Sequence, residues 1–337
     1  MKNIHKALFI NLMMIGSLIA ISSLSWLTVW IGLEMNLLAL IPLMKHFNKM
    51  ASSEAMMKYF MIQAMASAML LFTVIIYTIT VNFDITKLTT SISLLISSTL
   101  MLKMGMAPFH FWLPEVLSGL SWPLVFIILT WQKIAPMILL TNTLHNPQFI
   151  SIIIIISSMI GSLMGLNQTC LRKILTYSSI NHMSWMLSAM LNSPSIWLWY
   201  FLIYTLINLN IIIILANFNI YYMKELNSLF IFNKYLKILF MLNMLSLGGL
   251  PPLLGFFPKW ITINSMISNN YITLAILLII FTLMALYFYM RLTFTTFTLS
   301  TEKTLIKTFK KMNFFYFMVN ILSIMGLMIC STPNNFM

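Results

Sequence analysis

Charge is what this sequence most lacks. Only 7% of its 337 residues are Asp, Glu, Lys or Arg, while 60% are hydrophobic. A soluble globular domain carries about 25% charged residues. At a mean hydropathy of +0.94, no water-soluble fold of this length could cover its apolar surface. The apolar runs recur from one end of the chain to the other, which excludes a soluble domain held by a single anchor. Cysteine is nearly missing as well. Cys170 and Cys330 stand far apart and no Cys-x-x-Cys occurs, so neither a disulfide framework nor a metal site is expected, and no haem or iron–sulfur ligand pattern is visible. No small-residue cleavage pattern follows the first apolar run, so a cleaved signal peptide is not expected. Arginine is reduced to Arg172 and Arg291 against 17 lysines. With abundant Met, Ile, Asn and Phe, that is the bias of an AT-rich gene, organellar or bacterial. The net charge of +13 could suggest nucleic acid, but the basic residues sit in loops between apolar runs, as membrane topology requires. No nucleic-acid partner is expected.

What is present is a succession of long apolar stretches. A bilayer-crossing helix needs about 20 mostly apolar residues. About eleven such stretches can be marked, at roughly 7–22, 25–43, 59–80, 88–107, 122–141, 148–166, 174–191, 195–217, 236–262, 272–294 and 313–330. They are long and apolar on all faces, which points to helices rather than barrel strands. The fold class expected is therefore all-α, a polytopic membrane protein. With the N-terminus inside, fifteen Lys and Arg fall in inside segments, one (Lys87) falls outside, and Lys103, Lys133 and Lys259 fall within spans. That asymmetry supports both the span count and the orientation, and it puts the C-terminus outside.

Two spans are interrupted by helix breakers beside a lysine. The fourth reads Lys103-Met-Gly-Met-Ala-Pro108, and the ninth reads Gly248-Gly249-Leu250-Pro251-Pro252 ahead of Gly255 and Pro258-Lys259-Trp260. Proline removes a backbone donor and clashes with the preceding turn. At membrane depth that is tolerated where the freed groups are buried in protein or line a wet cavity. Spans four and nine are an odd number apart, so they cross in opposite directions. Residues 1–145 and 146–298 then form two five-helix repeats of inverted topology, a transporter feature, and 299–337 supplies a loop and a terminal helix. Two unrelated proline kinks are the plainer alternative.

Four charges lie within spans: Glu34, Lys103, Lys133 and Lys259. Each costs roughly 2.5–3.5 kcal/mol at the bilayer centre on the lenient insertion scale. Glu34 and Lys133 are mid-span. Lys103 and Lys259 are nearer segment ends, where snorkelling to the interface is an alternative. Burial and ion pairing act on an amine in opposite directions, so a lysine held between them can gain and lose a proton as a nearby charge moves. This is proton-relay chemistry rather than bond-making catalysis. A static Glu34–Lys103 ion pair is the structural alternative. His182, mid-span in Tyr177-Ser-Ser-Ile-Asn-His182, suits a shuttle or a helix–helix hydrogen bond. His110 is equally a shuttle or a loop-packing residue.

The stretch Lys103-Met-Gly-Met-Ala-Pro-Phe-His-Phe-Trp-Leu-Pro-Glu-Val116 resembles the signature of the antiporter-like membrane subunits of NADH:ubiquinone oxidoreductase, respiratory complex I. Trp131-Gln-Lys-Ile-Ala-Pro136, Arg172–Met183 and Gly249–Trp260 match the same family in order. The resemblance implies a 14-helix family fold whose first three helices are missing in animal mitochondrial versions, in line with eleven spans here. It implies that Glu34 and Lys103 are the carboxylate–lysine pair of a first half-channel, Lys133 a central relay, Lys259 the terminal lysine, and His182 a candidate on the polar axis. It implies that this chain holds no cofactor of its own, with NADH, FMN, iron–sulfur clusters and ubiquinone on partner subunits. Neighbouring antiporter-like subunits and membrane lipids, cardiolipin among them, are the partners implied, in the mitochondrial inner membrane with the N-terminus in the matrix and the C-terminus in the intermembrane space. Two other readings compete: a subunit of a multisubunit cation/proton antiporter, which expects the longer form, and a structural subunit whose lysines are freely replaceable.

Overall fold

The computed structural model describes residues 2–45, 50–82, 86–144, 146–226, 234–251, 253–298 and Asn320. The described residues are helical almost throughout and contain no strand beyond one isolated bridge, Cys170 with Tyr222. The expected terminal span at 313–330 lies outside them except for Asn320, as do Lys87's side chain, His46, His145 and Pro252. The chain divides into two compact units, Met1–Ile153 and Ile154–Met337.

The first unit holds α1 (Lys2–Ser22), α2 (Trp26–Met44), α3 (Met50–Asn82), α4 (Thr86–Met104), α5 (Trp112–Gly119), α6 (Trp122–Leu129) and α7 (Trp131–Thr141), and α8 (Pro147–Gly165) begins in it. Ser25 caps α2, its Oγ accepting from the Thr28 N–H at 3.4 Å. The α1–α2 crossing is close because glycines meet there: a Cβ on Gly32 would lie 2.6 Å from the Ala20 nitrogen and 2.8 Å from the Gly16 carbonyl oxygen. Without a hydrophobic drive between helices in lipid, such small-residue contact is what holds them together. The short α5 is pinned on α3 in two ways. A Cβ on Gly119 would strike the Ala51 carbonyl, and Glu115 forms an ion pair with Lys58 at 2.9 Å, while Lys58 also pairs with Glu54 at 2.9 Å.

The second unit continues with α9 (Leu171–Asn192), α10 (Pro194–Phe218), α11 (Lys234–Gly248), α12 (Phe256–Ser268) and α13 (Ile272–Thr298). Among the described residues, seven helical segments are long and apolar enough to cross a membrane: α1, α2, α3, α6 with α7, α8, α10 and α13. α9 is not among them. It is polar, yet buried on every face from Ile174 to Met190. Its serines make this possible by bonding back along the helix: Ser178 donates to the Leu175 carbonyl at 2.8 Å, Ser184 to Asn181 at 2.6 Å and Ser188 to Trp185 at 2.8 Å. A hydroxyl satisfied by its own helix can be buried at little cost.

At one end of this unit, the turns before α9 and after α10 are stitched together. Leu171 N–H donates to the Tyr221 carbonyl at 2.9 Å and Met223 N–H to Thr169 at 3.1 Å. Arg291, near the end of α13, donates to the carbonyls of Leu166 and Gln168, and Arg172 stacks on Tyr221 at 4.5 Å. Both arginines of the chain thus work as clamps on backbone and ring, a task the planar guanidinium suits better than a lysine.

Candidate functional site

Both glycine–proline breaks are built the same way. α4 stops at Met104, and Gly105 follows at φ +73°. Its N–H donates to the Leu102 carbonyl at 3.1 Å, and Met106 N–H donates to Met101 at 3.1 Å. α11 stops at Gly248, and Gly249 follows at φ +78°, with its N–H on Ser246 at 3.0 Å and Leu250 N–H on Leu245 at 3.4 Å. This doubled bond pattern around a left-handed residue is the Schellman motif, which glycine enters without a Cβ penalty. The chain resumes as helix only at Trp112 and at Phe256, respectively.

In the first unit, Lys103 is the residue before the last of α4, and it is 7% exposed. Carbonyls at the break also accept from side chains of other helices. Gln63 Nε2 donates to the Lys103 carbonyl at 3.0 Å, and Trp112 Nε1 donates to Leu102 at 3.2 Å. Lys133 is 1% exposed, among the largest fully buried side chains of the described residues. A cavity joins the two lysines: Lys103, Lys133, Gln63, Gln132, Tyr59 and Trp112 all line it. It leaves about 10 Å³ for the centre of a water, the lower bound for holding one. Gln132 Nε2 also donates to Asn36 Oδ1 on α2 at 2.9 Å.

The fifth expected span, 122–141, is not one smooth helix. It is interrupted at Thr130, with α6 ending and α7 beginning on either side. At the break the Thr130 hydroxyl donates back to the Phe126 carbonyl at 2.7 Å, which bends helices, and one turn further on Pro136 has no N–H for the Gln132 carbonyl. Lys133 therefore also stands within a turn of an interruption, its N–H on the Thr130 carbonyl at 3.2 Å.

Glu34 is half-buried on α2. It lies within electrostatic range of Lys103 but makes no ion pair with it inside 4.0 Å, so the static pair is not what the structure contains. Its Oε2 is buried without a hydrogen-bond partner among the described residues. His110, in the loop after Pro108, is 2% exposed with Nδ1 against the Pro108 carbonyl at 3.2 Å.

In the second unit, Lys259 lies in the first turn of α12 and is 8% exposed. Its side chain turns back across the break, and Nζ donates to the Gly248 carbonyl at 2.8 Å. The ammonium thereby caps the C-terminal end of α11, where the helix dipole favours a cation. It also stands 5.9 Å from the Trp185 ring centroid. Snorkelling is excluded for both Lys103 and Lys259 by their burial. His182 is one turn before Trp185 on α9, and its Nδ1 is 3.0 Å from the Tyr200 hydroxyl on α10, with the Tyr204 ring 5.2 Å away.

Sequence reasoning missed Gln63, Gln132, Asn36, Tyr200, Trp185 and the Gly248 carbonyl. The three amides had a usable signal, since an amide inside an apolar span must find a partner. Tyr and Trp had none, being too common here to stand out at 14% aromatic content.

Residues 23–285 match the family described as NADH:quinone oxidoreductase/Mrp antiporter, TM. The chain is 44% identical to NADH-ubiquinone oxidoreductase chain 2 of Anopheles gambiae, over 98% of each chain, and 41% identical to that of Locusta migratoria, over 99% of this chain and 98% of the other. Its fold is similar to a chain in the structure of respiratory complex I from Thermus thermophilus with bound aureothin, at a TM-score of 0.86 and 23% identity, over 98% of this chain and 79% of that one. That likeness carries the fold; the sequence relatives carry the family. With three interruptions in its membrane helices, a lysine buried beside each, and this degree of identity from end to end, the chain belongs to the NADH-ubiquinone oxidoreductase chain 2 family.

Proposed function

We propose that this chain is the antiporter-like, proton-translocating membrane subunit of a mitochondrial NADH:ubiquinone oxidoreductase, and that Glu34, Lys103, Lys133, Lys259 and His182 handle its protons. One observation carries the residue assignment. Lys103, Lys133 and Lys259 are all buried, and each stands within a turn or so of a helix interruption. A buried cation is costly, and broken backbone at membrane depth is costly. Placing the two together three times makes sense for groups that must change charge, because freed carbonyls and cavity water can receive the proton-bearing form.

In the first unit the chemistry follows from placement. Glu34 lies within electrostatic range of Lys103, so a change of charge at one is felt at the other. Gln63 and Gln132 line the cavity that Lys103 shares with Lys133, and each amide can both donate and accept, so one water there would have polar partners on several sides. In the second unit, Lys259 holds its proton against the Gly248 carbonyl, and the His182–Tyr200 pair offers a second group able to exchange one. The redox chemistry that drives the process is supplied by NADH, FMN, iron–sulfur clusters and ubiquinone on partner subunits.

The finer parts of the reading belong to the same proposal. Residues 1–145 and 146–298 form two inverted five-helix repeats, supported by the matching Schellman breaks at Gly105 and Gly249, and eleven spans place the N-terminus in the matrix and the C-terminus in the intermembrane space. Neighbouring antiporter-like subunits and lipids such as cardiolipin cover its sides. The test is Lys103→Met in the assembled enzyme. It should lower protons moved per electron while reduction of a flavin-site artificial acceptor stays normal. An unchanged proton-to-electron ratio with an unchanged quinone-coupled rate overturns the relay. Purification in mild detergent separates this reading from a cation/proton antiporter subunit: the chain should migrate with NADH:ubiquinone reductase activity.

A further inference from the structure

Lys259 does not choose its position alone. Gly249, the left-handed residue of the second break, lies under its side chain. A Cβ built on Gly249 would sit 2.8 Å from Lys259 Cδ, 2.8 Å from Nζ and 3.0 Å from Cε. Three atoms of one side chain pass over the bare Cα, so the absence of a side chain at 249 is the space Lys259 occupies. On another side stands the Trp185 ring, 5.9 Å from Nζ, within the range where an aromatic face attracts a cation. Trp185 is 1% exposed, and its Nε1 has no hydrogen-bond partner among the described residues, so its buried place is not explained by a hydrogen bond. The first break differs. A Cβ on Gly105 would strike Leu113 and Trp112, not a lysine, because Lys103 precedes its break whereas Lys259 follows its own and folds back.

We infer that Gly249 and Trp185 are positioning residues for Lys259, a seat and a wall that hold its ammonium on the Gly248 carbonyl. Glycine at 249 thus has two duties. It enters the left-handed conformation that ends α11, and it leaves room for the lysine. The first duty can be met by asparagine, which tolerates positive φ better than other residues with a side chain. The second cannot. The inference rests on Lys259 being a proton-handling group, and the experiment keeps the two apart.

Four variants are made in the assembled enzyme: Lys259→Ala, Gly249→Ala, Gly249→Asn and the double variant Gly249→Ala with Lys259→Ala. Protons moved per electron and the amount of assembled enzyme are both measured. Gly249→Asn should lose pumping as fully as Gly249→Ala, because both fill the seat. In the double variant the second substitution should add no further loss of pumping, and an assembly defect of Gly249→Ala should be relieved only in the part that comes from the clash, since alanine at φ +78° stays strained. Trp185→Phe should retain more pumping than Trp185→Leu, since a ring face survives. Rescue by asparagine at 249, or additive losses in the double variant, would mean that Gly249 serves the backbone alone and overturns the inference. Full pumping in Lys259→Ala would instead overturn the relay role of Lys259 itself.

Discussion

Replacing Lys133 with methionine should separate function from stability in opposite directions. The side chain is 1% exposed, so it is held in protein and not at a headgroup. A cation at the centre of a bilayer helix costs roughly 2.5–3.5 kcal/mol on the insertion scale. Interactions within the site offset part of that, so the net relief on removing it is about 0–3 kcal/mol. Methionine is unbranched and of similar length, and it fills irregular gaps well. No cavity of consequence should open. The assembled enzyme should therefore unfold at the same temperature or a higher one, while protons moved per NADH oxidised fall. The assay is proton uptake into vesicles containing the purified enzyme, followed with a pH-sensitive dye during NADH:ubiquinone turnover, alongside an artificial acceptor that reports only the flavin site. The acceptor rate should not change. A variant with full pumping shows Lys133 to be a structural residue. A variant that loses pumping only in proportion to a fall in assembled enzyme shows that its charge holds the fold, and either outcome refutes the reasoning.

Gln63→Leu should leave the Lys103 carbonyl unpaired at the first break, at a cost of about 1–3 kcal/mol; faster amide exchange across 101–106 is the readout, and unchanged protection would show that the Gln63 bond does not support the break. Glu34→Gln and Lys103→Met should be non-additive in a double-mutant cycle, because the two charges lie in electrostatic range without a contact pair; strict additivity would deny their coupling. Gly32→Val should separate α1 from α2, since backbone atoms of Ala20 and Gly16 cannot yield to it; overpacking of this kind costs about 1–3 kcal/mol, and the expected result is less assembled subunit with a normal pumping ratio in what remains. Tags at residue 2 and in 303–311 should face the matrix and one at residue 337 the opposite side; residues 2 and 337 on one side would mean an even number of spans and would remove the inverted repeat.

The sequence by itself determined the class of the protein and the identity of its costly residues. Membrane burial is a property of local composition, so runs of apolar residues mark helices one at a time, and a charge within such a run stands out without any knowledge of its neighbours. That is why Glu34, Lys103, Lys133 and Lys259 could be found by reading along the chain, and why Gly105 and Gly249, each with a proline within the next three residues, marked where two helices stop. α9 shows both levels at once: its serines and Asn181 dilute its apolar character, yet 174–191 still stands out as a span along the sequence, while the packing that buries it on every side is tertiary. What only the tertiary structure decided is which group meets which. The Lys259 ammonium on the Gly248 carbonyl, the Gln63 amide on the Lys103 carbonyl, the cavity between Lys103 and Lys133, and the gap between Glu34 and Lys103 are distances across helices or across a break. They depend on how the helices approach and rotate, and that is set by glycine contacts such as Gly16 with Gly32 and by backbone turns. No periodicity along one strand of sequence encodes those approaches, because they arise only when separate helices are brought together.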